Sequence, residues 1–118
     1  MAGTTFINHK GTEICLMEYP QDITQLKTMI AEAKRKIASK PPESVRALSD
    51  LGLIELKGDI TDIFKEFTAC NKPYIKASAL VGITGIKKVI VNTVAMISKR
   101  KFKIFNTVDE AKDYLASA

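Results

Sequence analysis

The residues best suited to holding a ligand lie in one short stretch, Gly82-Ile83-Thr84-Gly85, which is followed by Lys87 and Lys88. A hydroxyl group, two amines and backbone N–H groups would meet there at the start of a predicted helix, a position that attracts anions. The stretch lacks the longer glycine-rich run ending in Gly-Lys-Ser or Gly-Lys-Thr that a nucleotide phosphate loop requires. An ordinary strand-to-helix turn is therefore the alternative, and nucleotide binding is not expected.

Residues that could support catalysis or a metal site are few and scattered. Asp59 and Asp62 are accounted for by the start of a predicted helix, and their spacing pairs them with no nucleophile or base. Cys15 and Cys70 do not form a CxxC pair, and His9 is the single histidine, so the chain lacks the about four ligands of a zinc site. We therefore predict a protein that is not an enzyme and has no metal ion or cofactor, with both cysteines buried and reduced.

Alternating strands and helices are expected to position these residues. The chain opens with a hairpin of two short strands, at 5–9 and 13–17, around Lys10-Gly11. Later strands are predicted at 45–48, 74–83 and 102–105, and a loop is predicted at 51–58. The helices start near four residues that can cap a helix, namely Asp22, Asp59, Thr84 and Thr107.

The resulting order, ββαβαβαβα, predicts the fold class. Strands that alternate with helices form a largely parallel sheet, because the right-handed crossovers between parallel strands place their helices against it. We expect one α/β domain over residues 1–118, with a single mixed but mostly parallel sheet of about five strands and four helices. The hairpin supplies an antiparallel strand.

The third predicted helix is apolar around more of its circumference than contact with one sheet face requires. Its predicted inward stripe consists of Ile86, Val89, Ile90, Thr93, Val94 and Ile97. Three further apolar residues lie outside that stripe, namely Val91, Ala95 and Met96. Cations flank the helix at Lys87-Lys88 and at Lys99-Arg100-Lys101. Such a strip can contact a membrane surface, a small hydrophobic ligand or a protein partner, whereas a neighbouring helix or a second subunit in a homodimer is the alternative.

The overall composition limits the partners of the chain. Its 118 residues carry a formal net charge of +5 and are 46% hydrophobic, as expected for one globular domain. Tryptophan is absent and the basic residues do not alternate with aromatic ones, so nucleic acid is not an expected partner. The longest apolar run, 89–97, is about half of what a membrane-spanning helix needs, and the N-terminus lacks a signal-peptide pattern, so a cytoplasmic location is predicted.

Several short motifs accompany this order of elements. They are Leu48-Ser49-Asp50, Asn71-Lys72-Pro73-Tyr74, Gly82-Ile83-Thr84-Gly85-Ile86-Lys87-Lys88 and Phe105-Asn106-Thr107-Val108-Asp109-Glu110-Ala111. With them, the chain resembles the STAS-like superfamily over nearly its whole length, and more narrowly the SpoIIAA-like branch of that superfamily. The resemblance implies the STAS-like fold and a non-enzymatic binding or regulatory module.

Two different activities are implied by the resemblance. Anti-sigma-factor antagonists of this fold are controlled by phosphorylation of a serine in an Asp-Ser-Ser-Gly type motif at the start of the second helix. The sequence there reads Gly58-Asp59-Ile60-Thr61, so the aspartate is matched, Ile60 replaces the serine, and Thr61 lies next to it. The residues considered for phosphorylation are Ser49, Thr61 and Thr84. The SpoIIAA-like branch is instead associated with membrane surfaces and small apolar ligands, which agrees with the apolar third helix, and a phosphorylation-controlled regulator is the alternative.

Overall fold

The computed structural model describes residues 3–118, and its elements broadly follow the predicted order. The strands are β1 (Gly3–His9), β2 (Thr12–Glu18), β3 (Val45–Asp50), β4 (Ile75–Val81) and β5 (Lys103–Ile104). The helices are α1 (Ile23–Ala38), α2 (Asp59–Asn71), α3 (Ile86–Ser98) and α4 (Val108–Ser117), with a 3₁₀ turn at Lys72–Tyr74 between α2 and β4. Over the described residues the chain is therefore α/β, with the five strands and four α-helices that were predicted.

The strands form one sheet in sequential order, β1-β2-β3-β4-β5. β1 pairs antiparallel with β2, and the β2–β3, β3–β4 and β4–β5 pairs are parallel. The prediction of a mostly parallel sheet is wrong, and the sheet is mixed. The antiparallel pair runs the whole length of the hairpin, whereas β5 contributes only two residues to its parallel pair. Lys10 and Gly11, both with positive φ, form the predicted tight turn between β1 and β2.

Three helices cover one face of the sheet and the fourth covers the other. Right-handed crossovers that follow a sequential strand order place α1, α2 and α3 on the same side. Their buried residues form one core cluster with strand residues such as Met17, Ala47 and Leu80. On the opposite face, Ala111 and Leu115 of α4 pack in a smaller cluster. The three-helix face therefore holds the main core and positions α3.

Two of the predicted helix caps are confirmed. Asp22 accepts a hydrogen bond from the Gln25 backbone N–H at 2.9 Å, and Thr107 accepts one from the Glu110 N–H at 3.2 Å. The Thr107 hydroxyl also lies 3.1 Å from Glu110 Oε1, to which it donates. These side chains determine where α1 and α4 begin, because they satisfy backbone donors that have no partner inside the helix.

The predicted caps of α2 and α3 are wrong. Both helices begin after a glycine with positive φ, Gly58 at 54° and Gly85 at 57°, and neither start has a side-chain cap. Asp59 is instead the first residue of α2, and Thr84 contributes only its backbone oxygen, which accepts from the Lys87 N–H at 3.2 Å. The chain turns sharply before these helices, and a positive φ favours glycine.

The two cysteines lie in different environments. Cys15 on β2 is buried as predicted, but Cys70 on α2 is exposed, and its predicted burial is wrong. The buried residues of α2 are Phe64, Phe67, Thr68 and Asn71. The last inward turn of α2 is therefore polar at Thr68 and Asn71, and the Arg100 guanidinium donates to the Thr68 backbone oxygen at 2.7 Å.

Candidate functional site

Helix α3 is attached to the rest of the molecule at its first turn. Gly82, with a φ of 77°, packs so closely on the loop after β3 that a Cβ atom there would lie 2.6 Å from the Gly52 Cα. The Lys87 amine donates to the Leu51 backbone oxygen at 2.7 Å and lies 3.4 Å from the Gly82 oxygen. The turn that precedes α3 and the loop that follows β3 thus form one surface.

The predicted ligand stretch between Gly82 and Gly85 occupies this turn. Two of the three donors of the Lys87 ammonium group are used by backbone oxygens. Thr84 and Lys88 are exposed, and the start of α3 at Gly85 has no side-chain hydrogen bond. These contacts are those of a strand-to-helix turn, which was the alternative interpretation.

The face that α3 turns to the core differs from the predicted one. Its buried residues are Val91, Val94 and Ser98, whereas Ile86 and Val89, both predicted to face the sheet, are 76% and 64% exposed. Because each residue turns a helix by about 100°, the helix is rotated by about 100° from the predicted orientation. The prediction that Val91 lies on the outer side is therefore wrong, since this residue is fully buried.

Polar contacts hold both ends of α3 in this orientation. The Lys87 amine holds the first turn against the loop after β3. After the last turn, Arg100 donates to the Thr68 backbone oxygen on α2, and Ser98 Oγ lies 3.4 Å from Thr68 Oγ1. The apolar pattern of α3 favours the predicted stripe, but the structure leaves Ile86, Val89 and Ile97 of that stripe exposed. The polar contacts accompany the observed orientation.

The outward side of α3 is an exposed apolar surface, which we call the α3 strip. It consists of Ile86, Val89, Met96 and Ile97, of which Met96 is the most exposed at 78%. Two other large apolar side chains are exposed among residues 3–118, Ile23 at the start of α1 and Leu53 in the loop after β3. Met96 is thus outward as predicted, and Ala95 is half-buried. Contiguous exposed apolar surface of this kind marks a contact site.

A groove of about 220 Å³ between α2 and α3 adjoins the strip. It is lined by Thr61, Lys65, Val89, Ile90, Thr93, Val94 and Ile97. The groove is open to solvent along the two helices, and the cavity beneath α2 inside the core measures only about 10 Å³. At this face the chain therefore presents a surface for contact rather than an enclosed pocket.

Exposed lysines stand at both ends of the strip. Lys88 lies in the first turn of α3, and Lys99 and Lys101 follow its last turn. Within residues 3–118 none of the three forms an ion pair. Lys99 ends the helix in the left-handed conformation, with a φ of 55°, and the next backbone N–H donates to the Ala95 oxygen at 2.9 Å. The chain then turns toward the core.

Arg100 does not belong to the exposed cations, and its predicted place among them is wrong. Its guanidinium donates to the Thr68 backbone oxygen at 2.7 Å and to Ser78 Oγ. The same group lies 5.0 Å from the centre of the Phe102 ring. Burial lowers the pKa of Arg100 to about 10. The left-handed residue before it directs this side chain inward.

The three residues considered for phosphorylation lie in different environments. Ser49 on β3 is buried, and its hydroxyl lies 3.2 Å from the Tyr19 hydroxyl, so a kinase cannot reach it and the prediction for this residue is wrong. Thr61 is half-buried in the first turn of α2 and lines the groove. Thr84 is exposed before α3. The structure does not bring these three residues together.

Sequence reasoning missed a buried polar cluster beneath α2. It contains Tyr19, Ser49, Thr68, Ser78 and Arg100, which surround the core cavity of about 10 Å³. Burial raises the pKa of Tyr19 above its ordinary value, and the hydrogen bond from Ser49 lowers it less. A serine in each of the central strands β3 and β4 was the available signal, because buried hydroxyl groups need partners.

Other chemically active groups lie outside this region. His9 Nε2 contacts Asp113 Oδ1 at 2.8 Å and ties the hairpin to α4, and the Lys10 amine lies 3.0 Å from the same oxygen. Hydrogen bonds from His9 and then Lys10 lower the pKa of Asp113. Among residues 3–118, no three His, Cys, Asp or Glu side chains are grouped as a metal ion requires. Of the helices in the described range, none combines the length and the apolar character needed to cross a membrane.

Three comparisons with known proteins gave no assignment. The chain matched no family model, no curated protein and no solved structure. Function is therefore inferred from the geometry of α3 and its neighbours.

Proposed function

We propose that this chain is a non-enzymatic binding module that attaches to an anionic membrane surface through the α3 strip. The observation that carries the proposal is the concentration of strongly exposed apolar side chains, Ile86, Val89, Met96 and Ile97, on one helix with exposed lysines at both ends. A strip of this kind lies among lipid headgroups while the flanking amines contact phosphates. Transfer of the apolar side chains out of water drives the attachment.

The charge of α3 favours an anionic surface over a second copy of the chain. The helix has two lysines in its first turn, is followed by Lys99-Arg100-Lys101, and contains no aspartate or glutamate. In a two-fold dimer each surface meets its own copy, so the lysines of one copy would approach those of the other. Like charges brought together destabilise an interface, whereas anionic headgroups neutralise them.

The expected energies suit reversible attachment. Each side chain of the strip gains about 1–2 kcal/mol when its exposed part leaves water, on a scale of about 1.5–3 kcal/mol for complete burial. Each lysine near the surface adds about 1 kcal/mol on an anionic membrane. The loss of translational and rotational freedom opposes these gains. Attachment should therefore be weak on neutral membranes and strong on anionic ones.

A small hydrophobic ligand or a protein partner would use the same surface in a different way. The groove between α2 and α3 includes Val89 and Ile97 but leaves out Ile86 and Met96. A ligand confined to the groove would thus leave the two most exposed side chains of the strip in water. An extended surface covers the whole strip, and we prefer it for that reason.

Vesicle flotation tests the proposal. Wild type should float with vesicles of phosphatidylcholine and phosphatidylglycerol, and much less with phosphatidylcholine alone. Met96→Asp should lose flotation, and Lys99→Glu combined with Lys101→Glu should lose the preference for anionic vesicles. Ile23→Asp is the matched control, because Ile23 is an exposed apolar residue on α1.

Three outcomes contradict membrane attachment. The first is that wild type does not float, and the second is that Met96→Asp floats like Ile23→Asp. The third is self-association in sedimentation that Met96→Asp abolishes, which would assign the strip to a homodimer. Circular dichroism must confirm that each variant is folded.

One observation favours phosphorylation control as a second function. Thr61 lies in the first turn of α2 and lines the groove together with Lys65. A phosphate there would be stabilised by the helix N-terminus and would add about two negative charges beside the strip, which would repel an anionic membrane. Incubation with a kinase from the source cell, followed by mass spectrometry, should place phosphate on Thr61. Absence of phosphate on both Thr61 and Thr84 would contradict this function.

We also propose that the chain is STAS-like and is located in the cytoplasm. The order of elements along residues 3–118 supports the first assignment, since that order was part of the resemblance. Two unpaired cysteines agree with a reducing compartment. An experimental structure superposed on STAS-like domains tests the family, and fractionation of the source cell tests the compartment.

A further inference from the structure

A cleft beyond the last turn of α3 concentrates positive charge, part of which comes from Lys99 and Lys101 at the end of the strip. It measures about 210 Å³ and lies between the first part of β4 and the connection from α3 to β5. We call it the basic cleft, and its cations are Lys72, Lys76, Lys99, Arg100 and Lys101. They come from both walls, the first two from the β4 side and the others from the α3 side. Glu43 is the one carboxylate that lines it.

Arg100 is a largely buried cation without a counter-charge. No ion pair within residues 3–118 includes this guanidinium, and its protein partners are the neutral Thr68 oxygen and the Ser78 hydroxyl. A buried charge is costly unless an opposite charge and hydrogen bonds compensate it. A guanidinium has about five N–H donors, and the two hydrogen bonds leave the others available. An anion in the cleft would supply the missing charge.

The edge of β4 that borders the cleft is poorly suited to pairing with another protein strand. Val45 pairs with Ile75 and Arg46 with Ala77, so Lys76 is an extra residue that forms a bulge in β4. β5 pairs with β4 only beyond this point. Bulges and lysines at a sheet edge hinder the addition of another strand. A compact anion is therefore a better match to the cleft than an extended acidic peptide.

We propose that the basic cleft binds a phosphomonoester or a similar doubly charged oxyanion, with the Arg100 guanidinium as the central ligand. Guanidinium groups bind such oxyanions through two parallel hydrogen bonds, and an orientation already set by Thr68 and Ser78 lowers the entropy lost on binding. The four lysines supply the surrounding positive field. This proposal does not require attachment of the α3 strip to a membrane.

Titration with inorganic phosphate, followed by NMR and calorimetry at low ionic strength, tests the proposal. Binding should saturate, and the amide signals that shift should include those of Lys76, Ser78 and Arg100. Lys72→Glu combined with Lys76→Glu should weaken binding by about tenfold or more, and Glu43→Gln should strengthen it by about twofold to fivefold. Lys27→Glu on α1 is the control for net charge and should change affinity by less than about twofold, because Lys27 is exposed and does not line the cleft.

Further variants separate the role of Arg100 from a loss of folding. Arg100→Lys keeps the charge but removes the paired donors, so it should weaken phosphate binding by about tenfold. If that variant does not fold, the lysine and Glu43 variants still decide the outcome, because these side chains are exposed.

A second arm distinguishes a free phosphate from a lipid headgroup. Vesicles of phosphatidylcholine with phosphatidate are compared with inorganic phosphate. If the chain binds the vesicles but not inorganic phosphate, and the Lys72→Glu and Lys76→Glu double variant loses vesicle binding, the anion belongs to a lipid headgroup. Met96→Asp should keep phosphate binding even where it abolishes flotation, which separates this site from the strip. The proposal is overturned if the Lys72→Glu and Lys76→Glu double variant binds both probes like wild type, or if neither probe binds. It is also overturned if Lys27→Glu weakens binding as much as that double variant does.

Discussion

Replacement of Gly82 by alanine tests how α3 is held in place. Gly82 has a φ of 77°, and a Cβ atom there would lie 2.6 Å from the Gly52 Cα and 3.1 Å from the Leu51 carbonyl carbon. Packed protein atoms do not approach so closely, and backbone atoms cannot move aside as a flexible side chain can. The variant must therefore separate the turn before α3 from the loop after β3.

Two costs determine the size of the effect. An alanine with a left-handed backbone costs about 1–2 kcal/mol, and overpacking in a dense contact costs about 1–3 kcal/mol. Gly82→Ala should therefore lower the free energy of unfolding by about 2–5 kcal/mol. Gly11→Ala is a matched control, because Gly11 has a φ of 79° but no atom within 4 Å of the added Cβ. It should show only the conformational cost.

Urea unfolding monitored by circular dichroism measures both variants. The slope of the free energy against urea concentration must remain similar, so that a shift of the midpoint reports stability. Gly82→Ala should be less stable than Gly11→Ala by about 1–3 kcal/mol. Equal stability of the two variants would refute the packing contact with Gly52 as the reason for glycine at this position.

Two further predictions concern titratable groups. A thiol reagent at about pH 8 should modify the exposed Cys70 in the native protein but not the buried Cys15, because burial raises the pKa of Cys15 to about 12. Cys15 should react as well once the protein is unfolded. Modification of both cysteines in the native protein would contradict the buried position of Cys15. His9 and Lys10 lower the pKa of Asp113, so the stabilisation from this carboxylate is complete above the ordinary aspartate pKa and is lost as the pH falls through the lowered value. The difference in unfolding free energy between wild type and Asp113→Asn should therefore shrink as the pH is lowered from about 6 to about 3, and a constant difference would count against the ion pairs.

Local signals predicted the elements that depend on neighbouring residues. Gly11 in the hairpin turn, the Asp22 cap and the Thr107 capping box were all correctly assigned. Each acts through atoms within a few residues of itself, so its effect can be recognised from spacing alone. The caps of α2 and α3 were misassigned because glycines before them turn the chain more sharply than a capping side chain requires.

The candidate site could be predicted only in part. The apolar surplus of α3, its flanking cations and the outward position of Met96 were visible in the pattern. The composition of the exposed strip was not visible, because periodicity assigned Ile86, Val89 and Ile97 to the inner face and the tertiary packing of α3 leaves them exposed. Val91 and Ile86 were consequently exchanged between the inner and outer sides.

The amino-acid pattern was sufficient for the α/β class, the order of the elements and the presence of one helix too apolar for a single contact. Its periodicity reflects short-range geometry, which is the same in whatever environment a helix packs. The side of α3 that faces water is accompanied by contacts of Lys87, Ser98 and Arg100 with partners 30 to 36 residues away in the sequence. The same holds for the basic cleft, where Lys72 and Lys76 meet Arg100 only after β4 and α3 have packed. The tertiary structure therefore decided the functional surface, because the face of α3 that packs on the core is not the one that its periodicity favours.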